Sequence, residues 1–82
     1  MDNHVLLFED WQMDVMSQIQ MLRDANPDFD LRMDPSERFK GAWSVALHRG
    51  GEYLAGVKGP CSEESALDFF SSQLSRLRSG AR

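Results

Sequence analysis

The stretch from Gly41 to Leu77 constrains the fold more than any other part of the chain. Trp43, Val45 and Leu47 alternate with smaller or polar neighbours, the period of a half-buried strand. Arg49-Gly50-Gly51-Glu52 follows, and two adjacent glycines supply the positive φ values that a two-residue hairpin loop requires. Tyr53, Ala55 and Val57 resume the alternation on the return strand. Gly59-Pro60 ends that strand. Ser62 is then placed to cap a helix whose apolar positions are Leu67, Phe70, Leu74 and Leu77, running to about Arg78, with Gly80 as its C′ residue. Arg76 and Arg78 fall in the last turn, where cations oppose the negative end of the helix dipole.

The first third of the chain reads as a helix and a strand. Phe8, Trp11, Val15, Ile19 and Leu22 recur at spacings of 3 and 4 and form one stripe, with Met13, Met16 and Met21 beside it. Asn26-Pro27 stops the helix, because the residue before proline is driven out of the α region. His4 to Phe8 is apolar and fits a short strand or the helix entry equally well. From Asp28 to Met33 the pattern alternates again, with Phe29, Leu31 and Met33 on one face and Asp28, Asp30 and Arg32 on the other. Asp34-Pro35-Ser36 is a turn signal.

The expected architecture is therefore α+β: an α-β-β-β-α order with a three-stranded antiparallel meander and two helices on one face. Its expected core is Phe8, Trp11, Val15, Ile19, Leu22, Phe29, Leu31, Trp43, Val45, Leu47, Leu67, Phe70, Leu74 and Leu77. One small domain spans residues 1–82, a length that buries only about 60–65% of the unfolded surface. Such a sheet leaves its other face open. Tyr53, Ala55 and Val57 cannot face the core together with Leu54, so one set is expected to be exposed or to meet a partner.

Charge divides the chain. Residues 1–34 hold eight acids against Arg23 and Arg32, a balance of −6, whereas residues 35–82 carry +2. A field of one sign speaks to partner choice rather than to fold. The acids of the first helix (Glu9, Asp10, Asp14) and those of the first strand and its flanks (Asp24, Asp28, Asp30, Asp34) are accordingly the candidate binding residues, directed at a basic protein surface. No apolar run reaches the ~18–20 residues of a membrane span, and no signal-peptide core with a basic lead is present. One cysteine rules out an internal disulfide and a multi-cysteine metal site, and a cytoplasmic location is expected.

Catalytic and metal readings find little support. Asp28, Asp30 and Asp34 open like a calcium loop, but the next ligand position is Arg32, the glycine position is Met33 and the twelfth position is Phe39. His4 and His48 have no histidine or cysteine at ligand spacing and read as surface residues. Cys61 precedes a helix N-terminus, yet Glu63 and Glu64 oppose a thiolate there. No G-x-S-x-G elbow or phosphate loop occurs. No metal, no cofactor and no enzymatic activity are expected.

The order of elements, with a glycine turn and a helix opening at Ser62 over about residues 8–78, resembles that of double-stranded-RNA-binding domains. That resemblance implies the fold. The family binds RNA largely through a basic cluster opening its last helix. The matching positions here read Ser62-Glu63-Glu64-Ser65-Ala66, whose carboxylates repel phosphate. An RNA-binding function would instead rest on Arg38, Lys40, Arg49, Lys58 and the terminal arginines. The small, acidic, one-domain make-up is also similar to that of phage-encoded inhibitors of the anti-CRISPR kind. This likeness implies a rigid acidic scaffold that occupies a site built for nucleic-acid phosphates. A third expectation is a homodimeric adaptor, joined through the open sheet face or the edge around Tyr53 to Val57.

Overall fold

A computed structural model describes residues 14–79 of the chain. Five elements follow one another: α1 (Val15–Ala25), β1 (Phe29–Pro35), β2 (Trp43–Arg49), β3 (Glu52–Gly56) and α2 (Glu63–Ser79). The strands form one antiparallel sheet in the order β1-β2-β3, with Leu31 opposite Leu47 and Leu47 opposite Ala55. Both helices cover the same face of it. The α+β, α-β-β-β-α architecture is the one the periodicity predicts.

Gly50 and Gly51 turn the β2–β3 hairpin at φ 59° and 84°, the left-handed pair that a two-residue loop needs. The Ser62 hydroxyl accepts the Ser65 N–H at 3.1 Å, and the Ser62 carbonyl accepts the first helical bond, from Ala66 at 3.0 Å. That cap starts α2 where the sequence places it.

The core lies between the helices and the sheet. Ile19 of α1 and Ala66, Phe70 and Leu74 of α2 close over Leu31, Val45 and Leu47. Val15, Leu22, Phe29, Trp43, Leu67 and Leu77 pack around this centre, as do Met16 and Met33. Burial of Phe70, which is fully enclosed, contributes about 1.5–3 kcal/mol. Phe8, Trp11, His4, Met13 and Gly80 lie outside the described residues.

Three expectations need correction. The expected helix does not run through Asp14: the described helix begins at Val15, and the part of the expectation from Phe8 to Met13 lies outside the described residues. Asp14 is extended (φ −68°, ψ 166°), and its carboxylate accepts the Ser17 N–H at 2.9 Å. Aspartate competes with helix by bonding the backbone two or three residues on, and here that local bond wins. At the other end of β1, pairing continues through Asp34–Ser44 and Pro35–Trp43, so the turn begins at Ser36 instead of Asp34. Pro35 fits there because the strand lies at the edge of the sheet.

The third correction concerns β3. Its register slips by one residue, Leu47 facing Ala55 while His48 faces Tyr53. Leu54 is the extra residue of a β-bulge. Tyr53 therefore does not share a face with Ala55 and Val57. It stands on the open side of the sheet at 60% exposure, whereas Leu54 and Val57 both pack against the core. The bulge thus removes the conflict between the two sets.

An odd number of antiparallel strands separates the helices, so α1 and α2 run in the same direction. Leu22 lies beside Ser71 and Leu74, and Asn26 beside Arg78. Both helix N-termini and the 36–42 and 57–62 loops share one end of the molecule. The α1–β1 turn, the hairpin and the C-terminus of α2 share the other.

Candidate interaction surface

The bare face of the sheet carries Asp30, Arg32 and Asp34 from β1. Ser44, Ala46 and His48 come from β2, and Tyr53 and Gly56 from β3. The alternation that buries Leu31, Val45 and Leu47 obliges these neighbours to point the other way.

Tyr53 and His48 meet edge to face across the β2–β3 ladder, their ring centroids 5.5 Å apart at 81°. The tyrosine extends over Gly56. A Cβ there would come within 2.6 Å of the Tyr53 hydroxyl, so glycine is what lets the ring lie down. The His48 Nδ1 is buried and has no hydrogen-bond partner among the described residues. In β1, Arg32 Nε donates to Asp30 Oδ2 at 2.7 Å, both side chains being about half exposed. Such a surface pair contributes at most about 1 kcal/mol. It does neutralise one of the two acids on this face. No lysine or arginine from β2 or β3 joins them on this face.

The predicted acidic residues that are described, Asp14, Asp24, Asp28, Asp30 and Asp34, do not form one patch. Asp30 and Asp34 share the open face. Asp28 lies in the α1–β1 turn and, with Asn26, Pro27 and Phe29, lines a shallow depression beside Arg78. Asp24 sits on the last turns of α1 and accepts a bond from Gln20 Nε2 at 3.1 Å. Asp14 caps the opposite end of the same helix, where bonds from Ser17, side chain before backbone, hold its carboxyl below the ordinary aspartate range. Glu9 and Asp10 lie outside the described residues. The acids are thus divided between the helical layer and the open face.

The remaining candidates have structural employment. Cys61 pairs by backbone with Trp43 in both directions, at 2.7 and 2.9 Å, and burial pushes its thiol pKa up, away from a nucleophile's. Ser62 is committed to its cap. Among the described residues no group of three His, Cys, Asp or Glu side chains could hold a metal ion, and no helix is long and apolar enough to cross a membrane. Of the basic residues, Arg38 stands over the exposed Phe39 ring and Arg49 over Phe29, at 5.8 and 4.9 Å.

Sequence reasoning missed Tyr53 and His48 as members of one surface, because the bulge that brings them together leaves no mark in the alternation of β3. It also missed Arg23, whose Nε and Nη2 both donate to the Leu31 carbonyl, at 3.0 and 2.8 Å, on the outer edge of β1. A comparison of the chain with protein-family models, curated proteins and solved structures finds no match.

Proposed function

We propose that this chain is a non-enzymatic protein-interaction module that engages a basic partner through the open face of its sheet. The observation that carries the reading is the composition of that face: two carboxylates, Asp30 and Asp34, a single compensating base, Arg32, and the exposed Tyr53 ring beside them. Carboxylates steer a basic surface into register, and an exposed tyrosine offers an anchor of large contact area at small entropic cost. In its sharpest form the protein is a small acidic phage-type inhibitor of the anti-CRISPR kind, occupying the nucleic-acid-binding surface of a host machine. Capture experiments with wild-type and D30K/D34K protein at two salt concentrations test the reading. A partner retained after nuclease treatment, eluted by salt and lost with D30K/D34K supports it. Binding that ignores both salt and the charge reversal refutes it.

A second reading rests on the order of elements. The 36–42 and 57–62 loops bring Arg38, Lys40 and Lys58 to the end of the molecule where α2 begins, the end at which double-stranded-RNA-binding domains hold phosphate. Glu63 and Glu64 occupy the same end and weaken this reading. A gel shift with duplex RNA at low salt decides it.

A further inference from the structure

Among the described residues, His48 Nδ1 is the only buried side-chain nitrogen or oxygen without a hydrogen-bond partner. Such atoms are uncommon, and the reason for one lies in its surroundings. His48 is the middle of a row of three across the open face, with Asp30 as its partner on β1 and Tyr53 on β3. The Tyr53 ring meets the imidazole edge to face, while its hydroxyl lies over Gly56, which pairs with Ala46 further along β2. On the other side, Asp30 binds Arg32 through Oδ2 alone, so Oδ1 is left to accept a donor. Arg32 and Asp34, further along β1, are the other charged side chains that the strands turn to this face. Arg49 and Glu52 pair with each other on the helix side, where Arg49 also pairs with Phe29.

This arrangement suits the neutral imidazole and not the charged one. A neutral ring keeps a lone pair on one nitrogen and forfeits only one acceptor bond there. A charged ring carries N–H on both nitrogens, and a buried cationic donor with no acceptor is the costlier loss. Turning the ring from Tyr53 toward Asp30 brings that N–H to Oδ1 in a charge-assisted bond. Protonation thus exchanges an aromatic contact for an ion pair. It also changes the face. Asp30 and Asp34 against Arg32 leave one net negative charge there, and a proton on His48 cancels it.

We infer that His48 is a proton switch for the open face. Neutral, it rests against Tyr53 and the face stays acidic; protonated, it turns to Asp30, frees the Tyr53 ring and removes the net charge. Histidine is the side chain that makes such a change between about pH 5 and 8. The movement stands on the geometry alone, whereas the release of a basic partner by acid rests on the proposed function.

Nuclear magnetic resonance of the whole chain tests the movement. Tyr53 is the only tyrosine and His48 one of two histidines, so the variant H48Q assigns the ring signals. Between pH 8 and pH 5 the Tyr53 ring signal should move with the same midpoint as His48, and should stay still in H48Q. D30N removes the charge that receives the imidazolium and should shift the His48 midpoint to lower pH. Circular dichroism checks that each variant stays folded over the range, and D30N carries the test if H48Q does not. A Tyr53 signal that ignores His48, or a midpoint unmoved by D30N, overturns the inference. For the partner, a lysine-rich peptide at low salt is the probe. Wild type should bind it roughly two- to fivefold more weakly at pH 5.5 than at pH 7.5, the effect of one surface charge, and H48Q equally at both. Equal binding by wild type at both pH values refutes the control of binding by His48. A peptide bound at neither pH counts against the proposed function alone, since the ring signals decide the switch without it.

Discussion

Arg23 grips the backbone of β1 rather than any acid: its guanidinium donates twice to the carbonyl of Leu31, eight residues on, while its third nitrogen bonds Gln20. One side chain thus ties α1 to the strand beneath it and occupies an acceptor that would otherwise stand open on a sheet edge. Replacing it with alanine should cost about 1–3 kcal/mol, the range for hydrogen bonds involving a charged group. Lysine can keep one prong and should fall between the two. Urea midpoints of R23A and R23K check this, and an unchanged midpoint for R23A would show that water replaces the contact without loss.

Asn26 joins the C-terminal ends of the two helices. It is buried, with its Nδ2 donating to the Leu22 carbonyl at 2.8 Å and its Oδ1 accepting from Arg78 at 3.0 Å, across 52 residues of sequence. N26A should lose about 1–3 kcal/mol, because the Leu22 carbonyl loses a donor in a partly buried place. R78A should lose less. A double-mutant cycle between them should show a coupling of roughly 0.5–3 kcal/mol, and additive losses would mean that the long-range bond does not persist in solution.

Asp14 makes stability depend on acidity in a defined direction. Its folded pKa is depressed by the bonds from Ser17, so the charged carboxylate stabilises the fold fully above the unfolded value, near 3.9, and this contribution is lost as pH falls through the folded value. Asparagine keeps a capping oxygen but does not titrate. The difference in urea midpoint between wild type and D14N should therefore shrink as pH is lowered from about 5 to about 2. A constant difference would exclude the linkage.

The Cys61 thiol should react slowly. Burial raises its pKa above the ordinary thiol value and thereby lowers the thiolate fraction near neutrality. Alkylation by iodoacetamide at neutral pH is expected to be slower in the folded protein than in the urea-denatured chain, and to accelerate as pH rises. A folded rate equal to or above the denatured one would contradict this.

The hairpin, the capped second helix and the order of strands were legible because each rests on neighbours in sequence: paired glycines, a serine before an apolar period, alternation over a few residues. The departures have longer reach. A bulge at Leu54 is settled by the partner strand and the helix above it, and nothing in Glu52-Tyr53-Leu54-Ala55-Gly56 distinguishes it from a regular strand. Ala66 escapes a reading based on large apolar residues, although it lies one turn before Phe70 on the same face. The break at Asp14 was missed because the apolar stripe runs on across it, whereas the Asp14 backbone is extended and its carboxylate caps the helix that follows. As for the acids, their number was legible, but not their division between helices and sheet, which depends on which residues each strand turns outward.

The parallel course of the helices has a practical corollary. Asp14 and Ser79, the first and last described residues, stand at opposite ends of the helical layer, about 25 Å apart along the 17 residues of α2. A side-chain label beside either position therefore sits on the helical layer rather than on the sheet. Two reporters can thus be carried at once, one per end of the helical layer.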